Sequence, residues 1–235
     1  MTVVDPDAAR AGLRTGALLC PQDGCEGRLR AWSKARARQV LMGGGRRVLV
    51  HPDRGRCRAC GVTQVLLPAA CLPRRAYGVE VVGAILNAAA DGSGYRRAAT
   101  TMGIPVGTAR AWIRSVARNS AGLTARALRV VQALGADTGA CWIGGPDPVH
   151  PVRAALQALG AAAHALAQHG SRTSGSSAGP ITGIDYLGLL AASHHQNLHR
   201  WLRLGDPTFE AAAAAPWCQV TMITGGRLLT ANPSG

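Results

Sequence analysis

Two cysteine pairs constrain this chain more than any other feature: Cys20-Pro-Gln-Asp-Gly-Cys25 and Cys57-Arg-Ala-Cys60, separated by 31 residues. Tetrahedral zinc takes four soft ligands, and a tight turn between two cysteines aims both sulfurs at one point. Gly24 and Gly61 stand where such knuckles need a relaxed backbone. The spacing therefore predicts one structural zinc per chain on Cys20, Cys25, Cys57 and Cys60, with no open position for a substrate. The spacer is longer than compact ribbons use, and the competing reading makes all four ordinary small core residues, as Cys71, Cys141 and Cys218 are taken to be. His51 is a weaker substitute ligand, since it precedes Pro52 in a loop.

Around these cysteines, residues 15–72 alternate short apolar runs, such as Val48–Val50 and Val62–Leu67, with loops rich in Gly and Arg. A small β zinc ribbon is the expected fold, preceded by a flexible leader over residues 1–14 and followed by a hinge between Pro68 and Pro73. Aromatic residues make up only 4% of the chain and Phe occurs once, so several small packed units are expected rather than one large core.

Helical periodicity begins after Tyr77. Val79, Val82, Ile85 and Leu86 form one apolar stripe that stops at Asp91-Gly92-Ser93-Gly94. A short helix follows over Tyr95–Met102, then the turn Gly103–Gly107, then a helix from Thr108 capped by Thr108 or Gly107. Residues 73–120 thus read as a three-helix, helix-turn-helix unit. Ala109, Trp112, Ile113 and Val116 would pack inward, leaving Thr108, Arg110, Ala111 and Arg114 outward, where a recognition helix meets base edges. Arg96, Arg97 and Arg118 are placed for phosphates. The bland alternative is a helical hairpin with a solvated basic face.

Charge favours the first reading. Residues 1–120 carry 19 of the 26 basic residues and 7 of the 12 acidic ones, a net +12, against +2 for the remainder. Basic charge so segregated is the footprint of a polyanion binder. All the basic residues but Lys34 are arginine, which can fork onto phosphate or guanine.

The second half is expected to be helical, giving a mostly α protein. Its segments are a helical region over 121–170, a Ser/Gly linker over 171–180, and a helix and tail over 181–235. Ile184, Leu187, Ala191, His194, Leu198 and Trp201 recur at heptad-like spacing and want a partner face, either a second copy in a homodimer or Leu156–Leu166 of the same chain. Val220–Leu229 has strand-like residues broken by Gly225-Gly226 and is left unplaced. His195-Gln-Asn-Leu-His199 has zinc-protease spacing but carries Gln196 where the general base belongs. Asp137, Asp185 and Glu210 end no convincing strands, which disfavours a transposase-type carboxylate triad. No secretory leader and no membrane-spanning stretch is read from the sequence, so a cytoplasmic, nucleoid-associated protein is expected.

The order of cysteine knuckles, CRACGVTQVLLP, YGVEVVGAILNAAADGSGYRRAATTMGIPVGTARAWIR and TGGRLL resembles a family of proteins from high-GC bacteria with an amino-terminal zinc ribbon and a helix-turn-helix. Members are often encoded beside transposases and integrases of mobile elements. The likeness is strongest over Leu18–Arg118. It implies a DNA-binding regulator or accessory factor with a transposase or integrase partner, and no assigned biochemical activity. Two rival readings stay open: the DNA-binding subunit of a divergent transposase or recombinase, and a zinc-ribbon module that grips RNA or protein.

Overall fold

The computed structural model describes residues 1–3, 6–133, 149–173 and 216–229. Helices take about half of these residues, and the strands form two small sheets.

In the first sheet β1 (Thr2–Val3), β6 (Thr63–Pro68), β5 (Asp53–Cys57) and β2 (Leu29–Lys34) lie side by side in that order. β1 runs parallel to β6, and the other two pairings are antiparallel. Helix α1 (Pro6–Thr15) packs across this sheet. Ala9 and Leu13, one turn apart, are buried with Val3, Leu18, Leu29, Leu66, Cys20 and Cys57 in a small core of their own. Residues 1–14 are therefore not a flexible leader. The spacing of Ala9 and Leu13 gives the segment an apolar face, and it closes the core that the short strands leave open.

The second sheet is the hairpin of β3 (Arg38–Leu41) and β4 (Arg47–Val50), turned at Gly43–Gly45. Although it lies between the two cysteine pairs in sequence, its apolar face of Val40, Met42, Val48 and Val50 joins a different, larger core. There it meets Ala69–Leu72, which are all buried, so the stretch between Pro68 and Pro73 is packed structure and not a hinge.

That larger core is helical. Helix α2 (Val79–Ala90) buries Val79, Val81, Val82, Ile85 and Leu86. Helix α3 (Tyr95–Thr101) buries Ala98 and Ala99, and helix α4 (Val106–Arg118) buries Ala109, Trp112 and Val116. Between α3 and α4, Gly103 adopts φ 63°, and the N–H of Ile104 reaches back to the Ala99 carbonyl at 2.9 Å. This left-handed stop, with Ile104 folded into the core, ends α3 and aims α4. Helix α4 starts two residues earlier than the sequence indicates. Pro105 is its cap residue, with φ −54° set by its ring, Thr108 lies inside the first turn, and no side chain caps the end.

Among the described residues three further helices join the core: α5 (Ser120–Ala133), α6 (Pro151–Thr173) and α7 (Pro216–Ile223). Asn119 separates α4 from α5, so the stripe Leu123, Ala127 and Val130 belongs to a new helix. Ala155, Ala158, Leu159 and Ala163 of α6 are fully buried, and α6 runs into the start of the expected linker. Of the strand-like stretch Val220–Leu229, residues 220–223 lie in helix α7; Val220 and Ile223 are buried in the core where α7 packs against α2 and α6, and tertiary burial outweighs strand propensity. After α7 the TGGRLL segment buries Leu228 and Leu229, and Ser115 of α4 donates to the Leu229 carbonyl at 2.8 Å. Helices α2–α4 therefore share one core with α5–α7 instead of forming a separate unit over 73–120. The stripe Ile184–Trp201, the histidines at 194, 195 and 199, the acids at 137, 185 and 210, and Cys141 lie outside the described residues.

Candidate metal centre and nucleic-acid face

The first cysteine pair sits on a tight loop stitched by the Leu19 and Arg28 bridge, with the Cys20 N–H bonded to the Gly27 carbonyl at 2.8 Å. The second forms the turn between β5 and β6, where the Gly61 N–H donates to the Cys57 carbonyl at 3.1 Å. Gly24 and Gly61 both adopt φ 73°, the left-handed conformation expected of such turns. The four Sγ atoms lie within 4.8 Å of one another. Cys20 and Cys60 sulfurs are 3.6 Å apart, and those of Cys25 and Cys57 are 3.8 Å apart. A tetrahedral ion with metal–sulfur bonds near 2.3 Å would set these edges at about 3.8 Å. The donor set fits. His51 is exposed and takes no part, and Cys71 and Cys218 lie buried in the helical core.

Backbone amides prepare the sulfurs for negative charge. The Gln22 amide serves Cys20, the Gly27 amide serves Cys25, and the amides of Cys60 and Ala59 serve Cys57. At Cys57 these N–H bonds, the Cys60 amide foremost, overcome burial and pull the thiol down to about 7. At Cys20 the Gln22 amide is outweighed by burial and the three neighbouring thiols, which push it up to about 12. Four thiols this close cannot all ionise alone, and a bound cation resolves the conflict. Cys71 and Cys218 differ: burial is the first cause that raises them, to about 11 and about 12, and neither belongs to the four-cysteine cluster.

One contributor was missed in the sequence. A Cβ on Gly27 would stand 2.6 Å from the Cys57 sulfur and 3.2 Å from that of Cys25, so only glycine leaves the cluster its space. Its position two residues after Cys25 is the signal that could have found it.

The arginines of α3 and α4 are solvent-facing. Arg96 and Arg97 on α3, and Arg110, Ala111, Arg114 and Arg118 on α4, are exposed, while Thr108 is half-buried. Arg96 and Arg110 converge on Tyr95, with guanidinium carbons 5.8 and 5.7 Å from its ring centroid. Cation–π contact of this kind limits the wandering of a long side chain. Behind them Trp112 is buried and meets Tyr77 edge-on, with centroids 5.0 Å apart. No acidic residue occurs between Tyr95 and Arg118.

Much of the remaining positive charge is engaged elsewhere. Arg10 and Lys34 both pair with the nearly buried Asp53, Arg28 donates to the Ala17 carbonyl at 3.2 Å, and Arg38 donates to the Leu72 carbonyl at 3.2 Å. No helix among the described residues is long and apolar enough to cross a membrane. The chain matches no family model, no curated protein and no solved structure.

Proposed function

We propose that the chain is a sequence-specific double-stranded DNA-binding protein that acts without catalysis. In this reading α3 and α4 form a helix-turn-helix. The observation that carries it is the exposed face of these helices, on which every charged residue is an arginine, backed by the buried Ala109, Trp112 and Val116 and joined by the Gly103 turn. Helix α4 enters the major groove, Arg110 and Arg114 address bases, and Arg96, Arg97 and Arg118 address phosphates. Thr108 and Ala111 line the same approach.

The cysteine centre is read as a structural zinc ribbon, one Zn²⁺ per chain. Zinc suits four thiolates, and four protein ligands leave no coordination site for substrate. In the same reading the protein works in the cytoplasm at the nucleoid, and the family resemblance supports a role as regulator or accessory factor of a mobile element with a transposase or integrase partner. Self-association as a homodimer through the helices after Ala121, with the stripe Ile184–Trp201 as its contact, belongs to the same proposal.

The test is selection of duplexes from a random pool by the full chain, followed by binding isotherms on the enriched and a scrambled sequence. Enrichment of a motif supports the reading. Equal affinity for all duplexes, or metal-dependent nicking or strand transfer, overturns it.

A further inference from the structure

Away from α3 and α4, the outer surface of β2 and β5 breaks three rules of strand construction at one place. Arg30 and Arg56 are direct cross-strand partners, although like charges opposite one another destabilise a ladder. Register shifts between Ala31 and Ser33, so Trp32 is a bulged residue with no partner of its own across the ladder. Trp32 is also 58% exposed. Bulges re-aim side chains, and local rules are broken where function requires it.

The three departures line one pocket, of about 340 Å³, formed by Arg30, Trp32, Arg56, Arg58 and Gly61 beside Cys57, with no carboxylate in its wall. The Arg56 guanidinium lies 4.8 Å from the Trp32 ring centroid, and its Nε donates to the Gly61 carbonyl at 3.3 Å. Arg30 donates to the Arg14 carbonyl at 3.0 Å. These neutral anchors hold the two guanidinium groups in place without cancelling their charge. The result is an indole platform set among three cations.

We infer that this pocket binds an unpaired nucleotide of a single-stranded nucleic acid, the base stacking on Trp32 and the flanking phosphates lying against Arg30, Arg56 and Arg58. Every base has a π-face, so such a platform accepts any sequence, and the arginines supply the backbone attraction. A paired base has both faces covered and cannot reach it. The site is independent of the duplex reading: it uses a different surface and a different form of the polymer.

The experiment measures binding of the full chain to a short oligothymidylate, an oligouridylate of equal length and a duplex of equal length, with tryptophan fluorescence recorded in each titration. Single strands should bind and quench. Trp32→Ala should weaken single-strand binding about 5- to 100-fold. Trp32→Phe should keep affinity within about threefold, because the ring persists, yet lose the quenching. Metal content and melting temperature should be unchanged in both, since the side chain is exposed. Preference for oligouridylate would identify the strand as RNA and preference for oligothymidylate as unpaired DNA, and both support the inference. Arg110→Ala should weaken the duplex alone. The inference is overturned if neither single strand binds at low salt, if Trp32→Ala binds them as the parent does, or if that variant weakens duplex and single strands equally. Loss of the duplex result with the single-strand result intact would remove only the helix-turn-helix reading.

Discussion

At the level of single residues, the arginines of this chain are unequal. Arg110 is held near the start of α4 by Tyr95, so part of the entropy of placing its fork has already been spent. Arg110→Ala should cost about 1–3 kcal/mol on a preferred duplex and relax selectivity at one base pair. Arg97→Ala should weaken all duplexes alike and lower the salt slope by about one unit. Parallel isotherms on selected and scrambled duplexes separate the two, and identical losses would reduce both to undirected charge. Trp112 is the internal control. It is 3% exposed, so Trp112→Ala should cost about 3–5 kcal/mol of stability before any change in sequence preference is measurable.

Gly27 offers a sharper residue-level test of the metal centre than the cysteines do. A methyl group there has nowhere to go but into the sulfurs of Cys57 and Cys25. Gly27→Ala should lower metal content, read by elemental analysis, while keeping all four thiols. Cys218→Ser lies in the other core and should leave the metal stoichiometry unchanged.

At the level of elements, the two knuckles are joined by a small core and, in the proposed reading, by one ion between their sulfurs. The buried residues around them are few, namely Val3, Ala9, Leu13, Leu18, Leu29 and Leu66 with two of the cysteines. Removing the ion should therefore melt α1 and the four-stranded sheet while α2 retains its packing. Hydrogen exchange with and without a chelator checks this, and uniform protection in both states would refute it. Acid should act in the same direction. Cysteine sulfurs bind the ion as thiolates, so falling pH lets protons compete and releases it.

Sequence reading located these elements unevenly, for physical reasons. The cysteine pairs were legible because ligand spacing is a local property. The burial of Val79, Val82, Ile85 and Leu86, and of Ala109, Trp112 and Val116, was legible from periodicity. Helix α1 was missed because its apolar face is only Ala9 and Leu13 amid charged residues. Helix α7 was missed because its β-branched residues point to a strand until α2 and α6 are present. Trp32 could not be singled out, since a bulge is a property of a pair of strands and not of either one. Net charge overstated the nucleic-acid face: Lys34 and Arg10 are taken up by Asp53.

At the level of the whole molecule, the helices of the proposed DNA face do not stand alone. Their core includes Ala155, Ala158, Leu159, Val220 and Leu228 from distant sequence. In a chain ended after Arg118 the segment 79–118 should be unfolded or aggregated, whereas the intact chain should show one cooperative transition for α2–α7. Circular dichroism and sedimentation of the truncation check this; a well-folded monomer would show that the helices are self-sufficient. For the intact protein, duplex affinity should fall steeply with salt, because several exposed arginines displace counterions at once.

The tail that closes the helical core has a consequence for synthesis. Cys60 leaves the ribosome while most of the chain is still unmade, so the metal unit can close early. The apolar faces of α2, α3 and α4 must wait until Leu228 and Leu229 have been made, more than a hundred residues after α4. Throughout that interval they are exposed to other nascent chains, the condition under which aggregation competes with folding. Chains released after Arg118 should resist protease across 6–34 and 53–66 and be cut within 38–50 and 79–118, whereas the full length should be protected in all four stretches.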